Sequence, residues 1–370
     1  MKPFEIHVAD TVLDDLRERL ARTRWPALEG ETGWAWGADL EEIKALCAYW
    51  RDGFDWRAQE ATLNAWAQFI IPVDGVDLHV FHVKSPKAGA QPLLLLHGWP
   101  GSVFEFADLI GPLTDPDAHG APDASAFDVV IPAIPGFGFS GKPSEPGWGP
   151  ARVAKAFDTL MTEALGYSSY LVQGGDWGAI IGRRMAQNHA ANIRALHLNT
   201  PYATPLPDDP PDAQWNAMRD TGLTYLMLQR LQPDVIAPSM ADSPAGLAAW
   251  VLEKFHAWGG SEGALDTAFT RDQLLTNLMF YWAPNAAGSA ARLYREAGLE
   301  GVNPWGAPKV EVPTAFAVFP KEPFRAPRAW LERIYAVVRY TEMPAGGHFP
   351  GLEQPALLLE DVRAFFADYG

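Results

Sequence analysis

The stretch Leu171-Val172-Gln173-Gly174-Gly175-Asp176-Trp177-Gly178-Ala179-Ile180 constrains the fold of this chain more than any other. An apolar run ends at Val172, helical spacing begins at Ala179, and glycines stand at 174, 175 and 178. A strand that turns at once into a helix needs positions without a Cβ. The pattern Gly-x-nucleophile-x-Gly is how such a turn lifts one side chain above a sheet. Serine is the usual occupant; here the lifted residue is Asp176.

That exchange changes the chemistry. A serine must lose a proton before it attacks, whereas a carboxylate is ionised near neutral pH and needs no base for a first displacement. It is a weak nucleophile, suited to strained rings or to carbons with a good leaving group, such as an epoxide or an alkyl halide. Either would leave an ester on Asp176 for water to cleave. The same turn also has a purely structural reading, in which Asp176 N-caps the following helix.

At 370 residues and 48% hydrophobic, the chain can bury a sizeable core as one large or two smaller domains. Its 15 tryptophans suit apolar pockets. With Lys+Arg 29 against Asp+Glu 45, the net charge of −16 argues against nucleic acid and anionic membrane as partners. No apolar run approaches the roughly 18 residues that span a bilayer. Met1-Lys2-Pro3-Phe4-Glu5 does not start a signal-peptide core. The expectation is a soluble, cytoplasmic chain without a membrane anchor. Cys47, the single cysteine, lies in a segment of helical period and reads as a core thiol. No Cys/His spacing suggests zinc, and neither metal nor cofactor is expected.

Residues 1–66 read as an N-terminal helical arm. A helix over 9–23 puts Ala9, Val12, Leu13, Leu16, Leu20 and Ala21 on one face, with Asp10-Thr11 as its cap. A loop carrying Trp25, Trp34 and Trp36 follows, then helices over 40–50 and 57–66. Helices this short do not hold a fold alone, so the arm is expected to wrap a larger domain. Residues 67–203 read as the first part of that domain. A hairpin turns at Asp74-Gly75, and the strand at 92–96 runs into the turn 97–102 and a helix over 104–113. Then come a strand at 127–133, a Gly/aromatic loop at 134–140, a helix over 153–165, the elbow with its helix over 178–189, and a strand at 193–198. Such β-α alternation predicts a mostly parallel, doubly wound sheet. The backbone N–H groups of Trp99 and Trp177 are the expected oxyanion hole; Pro100 has no N–H to offer. His97, on a buried strand, reads as a structural hydrogen-bonding group.

Pro201, Pro205, Pro207, Pro210 and Pro211 break the pattern. Residues 204–300 then read as an inserted α-helical lid, with helices over 214–231, 243–258, 271–283 and 286–298. Leu274 to Trp282 read as lid core. From spacing alone, Tyr225 and Tyr294 read as packing. Residues 301–370 restore the core: a strand at 312–319, a helix over 329–335, a strand at 337–342 and a closing helix from Pro355 to about Ala367. His348 follows the last strand in a Gly-Gly turn, and in the chain order nucleophile, acid, histidine it is the base. Glu322, at the end of the preceding strand, is the acid that orients it. A loop histidine and a solvated loop carboxylate are the bland alternatives.

Taken together, these motifs resemble the microsomal epoxide hydrolase family of α/β-hydrolases, in a soluble bacterial form. The likeness runs through Arg24-Trp25-Pro26, HGWPGS at 97–102, GGDWG at 174–178, DSPAGLAAWVLEKF at 242–255, LLTNLMFYW at 274–282, the helix from Ser289 to Glu296, FPKE at 319–322 and GGHF at 346–349. It implies an α/β-hydrolase fold: a mostly parallel, doubly wound sheet with an inserted α-helical lid and an N-terminal helical arm. It implies Asp176 as nucleophile, His348 as base and Glu322 as orienting acid. Tyr294 matches one of the family's two ring-opening tyrosines. Tyr225 matches the other by its distance from Pro233-Asp234, although the residues between depart from the family's usual wording. The membrane-bound relatives carry a hydrophobic anchor that is not carried over here.

The expected activity is conversion of apolar or aromatic epoxides to vicinal diols through a hydroxyalkyl ester on Asp176. A haloalkane dehalogenase shares the Asp-His-acid logic but needs N–H donors for a halide instead of two phenols for an alkoxide. A ligand-binding role on the same fold is the remaining alternative. The expected partner is a small-molecule epoxide, and the arm and lid could also form a homodimer.

Overall fold

The computed structural model describes residues 1–27, 30, 33–206, 208–210, 212–301 and 308–369. Of the linker prolines, Pro207 and Pro211 lie outside the described residues. Nine strands among those described form one sheet. They are β1 (Lys2–Phe4), β2 (Gln68–Val73), β3 (Val76–Val83), β4 (Gln91–Leu96), β5 (Phe127–Pro132), β6 (Tyr170–Gly174), β7 (Ile193–Leu198), β8 (Val310–Val318) and β9 (Tyr335–Glu342). Their order is β1-β2-β3-β5-β4-β6-β7-β8-β9. The first four neighbours pair antiparallel, and from β5 to β9 every pair is parallel. The β2–β3 hairpin turns on Asp74 and Gly75, both at positive φ (50° and 79°), the backbone that a tight two-residue hairpin with right-handed twist requires.

Leu93 to Leu96 of β4 are all buried, which is why that strand reads as an unbroken apolar run: helices cover both faces. The helices Pro150–Thr159 and Trp177–Asn188 pack as one pair, and Ala107–Thr114 and Pro355–Phe366 as another. After β4 the chain moves to one side to make β5, then returns to the other side to make β6. The gap beyond the C-terminal ends of β4 and β6 is therefore a topological switch point, where such sheets hold their ligands. Register places Leu96 beside Gly174, so the turn after β4 and the elbow after β6 emerge side by side.

Four features differ from the sequence reading. The arm adds a short edge strand, β1, to its helices Asp10–Ala21, Leu40–Asp52 and Trp56–Asn64. Asp10 and Thr11 do not cap the first helix: its N-cap is Ala9 without a side-chain bond, and Asp10 is engaged by Arg57. Trp36 is 86% exposed, while Trp34 stacks on His256 at 4.3 Å. The predicted lid helix 214–231 divides into Ala213–Ala217, a π turn at Met218–Gly222 and Thr224–Leu231, and an unforeseen helix, Pro233–Asp242, follows. Pro233 sits at the first helical position, where a missing N–H costs nothing. Cys47 is buried, and burial pushes its thiol up to about 12. Among the described residues no helix is long and apolar enough to cross a membrane.

Candidate active site

Asp176 is held with φ 49° and ψ −123°, a conformation that few non-glycine residues adopt and that calls for support. The glycines supply the room. A Cβ on Gly178 would lie 1.9 Å from the Leu96 carbonyl oxygen, and one on Gly98 would lie 2.3 Å from the Asp176 Cβ. Although Asp176 occupies the N-cap position of the helix Trp177–Asn188, its side chain makes no capping bond. The N-cap alternative therefore fails. The backbone N–H of Trp99 donates to Asp176 Oδ1 at 2.8 Å instead. Trp177 opens the elbow helix, so its N–H lacks an intrahelical acceptor.

The second carboxylate oxygen faces the other way. Asp176 Oδ2 lies 3.5 Å from His348 Nε2 and accepts from the Tyr202 hydroxyl at 3.3 Å. His348 is fixed through its main chain, whose N–H donates to the Trp258 carbonyl at 2.9 Å. Its Nδ1–H donates to Glu322 Oε2 at 2.8 Å, which leaves Nε2 to face Asp176. Glu322 is fully buried, so it is no solvated loop carboxylate. Its Oε1 accepts from the Phe324 N–H at 3.0 Å, and its Oε2 also accepts from the Thr200 hydroxyl at 3.3 Å. Thr200 Oγ1 in turn accepts from the Asp176 N–H at 2.9 Å. Burial alone would push the His348 imidazole down, but the carboxylates of Glu322 and Asp176 together hold it well above the usual histidine range.

Tyr225 and Tyr294 descend from the lid onto the two tryptophans. Tyr225, in the helix Thr224–Leu231, stacks on Trp99 with centroids 5.1 Å apart and planes 8° from parallel. Tyr294, in the helix Ala287–Leu299, meets Trp177 edge to face at 4.7 Å. The two phenols are 5.9 Å apart between ring centres, and the Tyr294 hydroxyl has no hydrogen-bond partner among the described residues. Burial first, then the Asp176 charge, raises the Tyr225 phenol well above its ordinary value. Burial, followed by Tyr225 and Asp176, does the same for Tyr294. Both stay protonated at neutral pH. A cavity of about 80 Å³ opens between Asp176 and these lid helices, with Trp177, Ile180, Tyr202, Leu226 and Phe324 in its walls.

The structure thus gathers Asp176, His348, Glu322, Tyr225, Tyr294, Trp99 and Trp177 at one place. It keeps His97 apart from the chemistry: its Nδ1–H donates to the Gly98 carbonyl at 3.0 Å, and its Nε2 accepts from the Ile134 N–H at 3.1 Å. Burial pushes that imidazole down to about 4. Four residues escaped the sequence reading. Thr200 and Tyr202 stand just past the end of β7, one strand over from the elbow, and that position was their only signal. Asn277 and Tyr281 lie one turn apart in the buried, largely apolar stretch Leu274 to Trp282 of a lid helix. Asn277 donates to the Pro100 carbonyl at 2.8 Å and Tyr281 to the Gly101 carbonyl at 2.6 Å. Two hydrogen-bonding side chains at i and i+4 in a buried helix were the clue. Among the described residues no group of three His, Cys, Asp or Glu side chains is placed to hold a metal.

Comparison with known proteins accords with this arrangement. Residues 1–106 match the family model described as Epoxide hydrolase N terminus, and residues 91–251 match that for the alpha/beta hydrolase fold. A protein of Stigmatella aurantiaca that carries an epoxide hydrolase name is 43% identical over 374 residues, covering 98% of this chain and 84% of its own. The chain belongs to the epoxide hydrolase family. Epoxide hydrolase 1 of Sus scrofa is another of its relatives, 36% identical over 99% of this chain and 88% of its own. Among solved structures in the family, the juvenile hormone epoxide hydrolase of the silkworm Bombyx mori superposes with a TM-score of 0.90 at 30% identity. That match covers 100% of this chain and 94% of the other. The Aspergillus niger epoxide hydrolase superposes with a TM-score of 0.88 at 29% identity, covering 100% and 96%.

Proposed function

We propose that this chain hydrolyses apolar epoxides to vicinal diols through a covalent ester on Asp176. The observation that carries the reading is the division of labour between the two oxygens of Asp176 beneath a pair of buried phenols. Oδ2, turned towards the catalytic histidine and Tyr202, attacks a ring carbon from the side opposite the phenols. The carbon–oxygen bond breaks, its electron pair goes to the oxirane oxygen, and Tyr225 or Tyr294 supplies the proton. A phenol suits this step because an alkoxide leaves poorly without a donor, and a donor must still hold its proton at neutral pH. Burial ensures that here.

Ester formation removes the negative charge of Asp176, one of the influences that raise His348. The imidazole then gives up its proton to solvent, regaining one when the carboxylate is restored, and can take one from water. Glu322 holds the ring in the tautomer that leaves Nε2 free for this. The hydroxide attacks Cγ of Asp176, and charge develops on Oδ1, which already accepts from the Trp99 N–H. The Trp177 N–H is the second donor, and each is worth on the order of 3 kcal/mol. The diol leaves with a proton from His348, the remaining water proton restores the tyrosine, and the net change is addition of one water. The apolar walls of Trp177, Ile180, Leu226 and Phe324 favour apolar and aromatic substituents on the oxirane. Two phenols over the nucleophile favour an epoxide over an alkyl halide.

The deciding experiment compares wild type with Asp176→Ala on styrene oxide, an aliphatic epoxide and a chloroalkane. Diol formation by wild type, lost in the variant, is expected. Halide release without diol formation would return both tyrosines to packing.

A further inference from the structure

The helices that carry the two phenols run in the same direction across the cavity. Tyr225 faces Tyr294 at its floor, and a turn or so further along each helix Arg230 meets Gly298 at its mouth. A Cβ on Gly298 would lie 2.9 Å from Arg230 Nε and 3.0 Å from Arg230 Cγ. The arginine stem therefore lies flat on a position that only glycine leaves open, and its end is exposed. Arg230 is the only cationic side chain in the cavity wall among the described residues. Other lid and arm arginines are engaged: Arg292 pairs with Asp234 and Arg19 with Asp242. Among the described residues no carboxylate stands within ion-pair distance of Arg230, in a chain with 45 acidic side chains against 29 basic ones.

We propose that Arg230 is a specificity residue that binds a carboxylate at the far end of an epoxide substrate. The inference rests on the epoxide reading above and adds a substrate class to it. The walls between floor and mouth are apolar, so the substrate they fit has an oxirane at one end, a hydrocarbon stem and an anion at the other. Arg230 stands five residues beyond Tyr225, which is roughly 7.5 Å along a helix axis. A short acid cannot reach both ends at once; a medium-chain acid can. A guanidinium offers a planar fork of donors that matches a carboxylate, which a lysine does not. Because the site is at the surface, salt should weaken its contribution.

The test measures kcat/KM for 9,10-epoxydecanoate and for neutral 1,2-epoxydecane, with 3,4-epoxybutanoate as a short acid. In wild type the long acid should be preferred to the neutral alkane, and added sodium chloride should erode the preference. In Arg230→Gln the ratio of long acid to neutral epoxide should fall about fivefold, chiefly through KM, as expected for an exposed charge pair. Arg230→Lys should keep part of the ratio. Gly298→Ala, which displaces the arginine without removing it, should lower the ratio as well. A ratio unchanged between wild type and Arg230→Gln overturns the proposal while leaving epoxide hydrolysis intact. An equal loss for the short acid overturns it too, since that is a general field effect. If wild type hydrolyses no epoxide, the functional reading fails by itself, and calorimetry with decanoate still decides Arg230: weaker binding by Arg230→Gln supports it, equal binding sinks it.

Discussion

Thr200 is the smallest of the side chains that hydrogen-bond around Asp176 and the one with the most to lose. Its single oxygen accepts from the Asp176 N–H and donates to Glu322 Oε2, so it ties the strained backbone of the elbow to the acid behind His348. Thr200→Val keeps the shape but strands two buried groups, at a cost of about 1–3 kcal/mol. Denaturant unfolding should show that loss, and turnover should fall with it. His348 gives a second expectation. With Asp176 esterified, the imidazole must be neutral to act, so lowering the pH should slow ester cleavage more than ring opening. The ester should accumulate in acid, visible by intact-protein mass, and should accumulate at every pH in His348→Gln. A variant that never shows an adduct would count against a covalent path. Asp176, His348 and Glu322 were legible as candidates because each sits in a turn of unusual composition, and Trp99 because it stands in the Gly-rich turn between an apolar strand and a helix. Thr200 and Tyr202 were not, because they lie in a proline-rich stretch that looks like linker, and their meaning comes from a neighbouring strand distant in sequence.

At the scale of elements, the lid helix Arg271–Trp282 buttresses the turn that carries the Trp99 N–H. Asn277 and Tyr281 hold the carbonyls of Pro100 and Gly101, so the lid and the donor are positioned together. Asn277→Ala should lower kcat severalfold with a small change in KM, since about 1 kcal/mol of positioning is lost; steady-state kinetics on any accepted epoxide would check it. The parallel strands of the core were legible because burial on both faces makes them continuous apolar runs. The lid was harder. Its helices touch several partners, so apolar residues occur around their whole circumference, and period alone does not say where one helix stops. The split at Met218–Gly222 and the proline-led helix Pro233–Asp242 escaped the sequence reading.

For the whole molecule we propose four segments: the arm at 1–66, the core at 67–203 and 301–370, and the lid at 204–300. The arm earns a place in the sheet as well, since β1 pairs with β2. A buried acid offers a test of the assembled molecule. Burial pushes Glu105 up to about 8, opposed by His348 and aided by Asp176 and Glu353. Below that value the folded chain keeps a proton that the unfolded chain has already lost above the usual carboxylate range. Stability should therefore fall as pH rises through that window. Glu105→Gln should flatten the dependence, with a higher Tm than wild type above about pH 8 and a shrinking difference towards acid. Thermal unfolding from about pH 5 to about pH 9 would show it. No local pattern announced this glutamate; the turn at Gly101, the segment at Gly351 and the lid helix Arg271–Trp282 pack against its element and remove its water.

The arm also clasps the lid. Arg19 binds Asp242 at 2.7 Å, the Tyr49 hydroxyl donates to Asp272 at 2.8 Å, Glu42 accepts from the Leu265 N–H at 3.3 Å, and Trp34 lies flat on His256. A lid strapped from outside does not swing like a door. We propose that reactants thread between its helices, a sieve for girth: slender epoxides should turn over whatever their length and those branched near the ring should not, as steady-state kinetics on paired isomers would show.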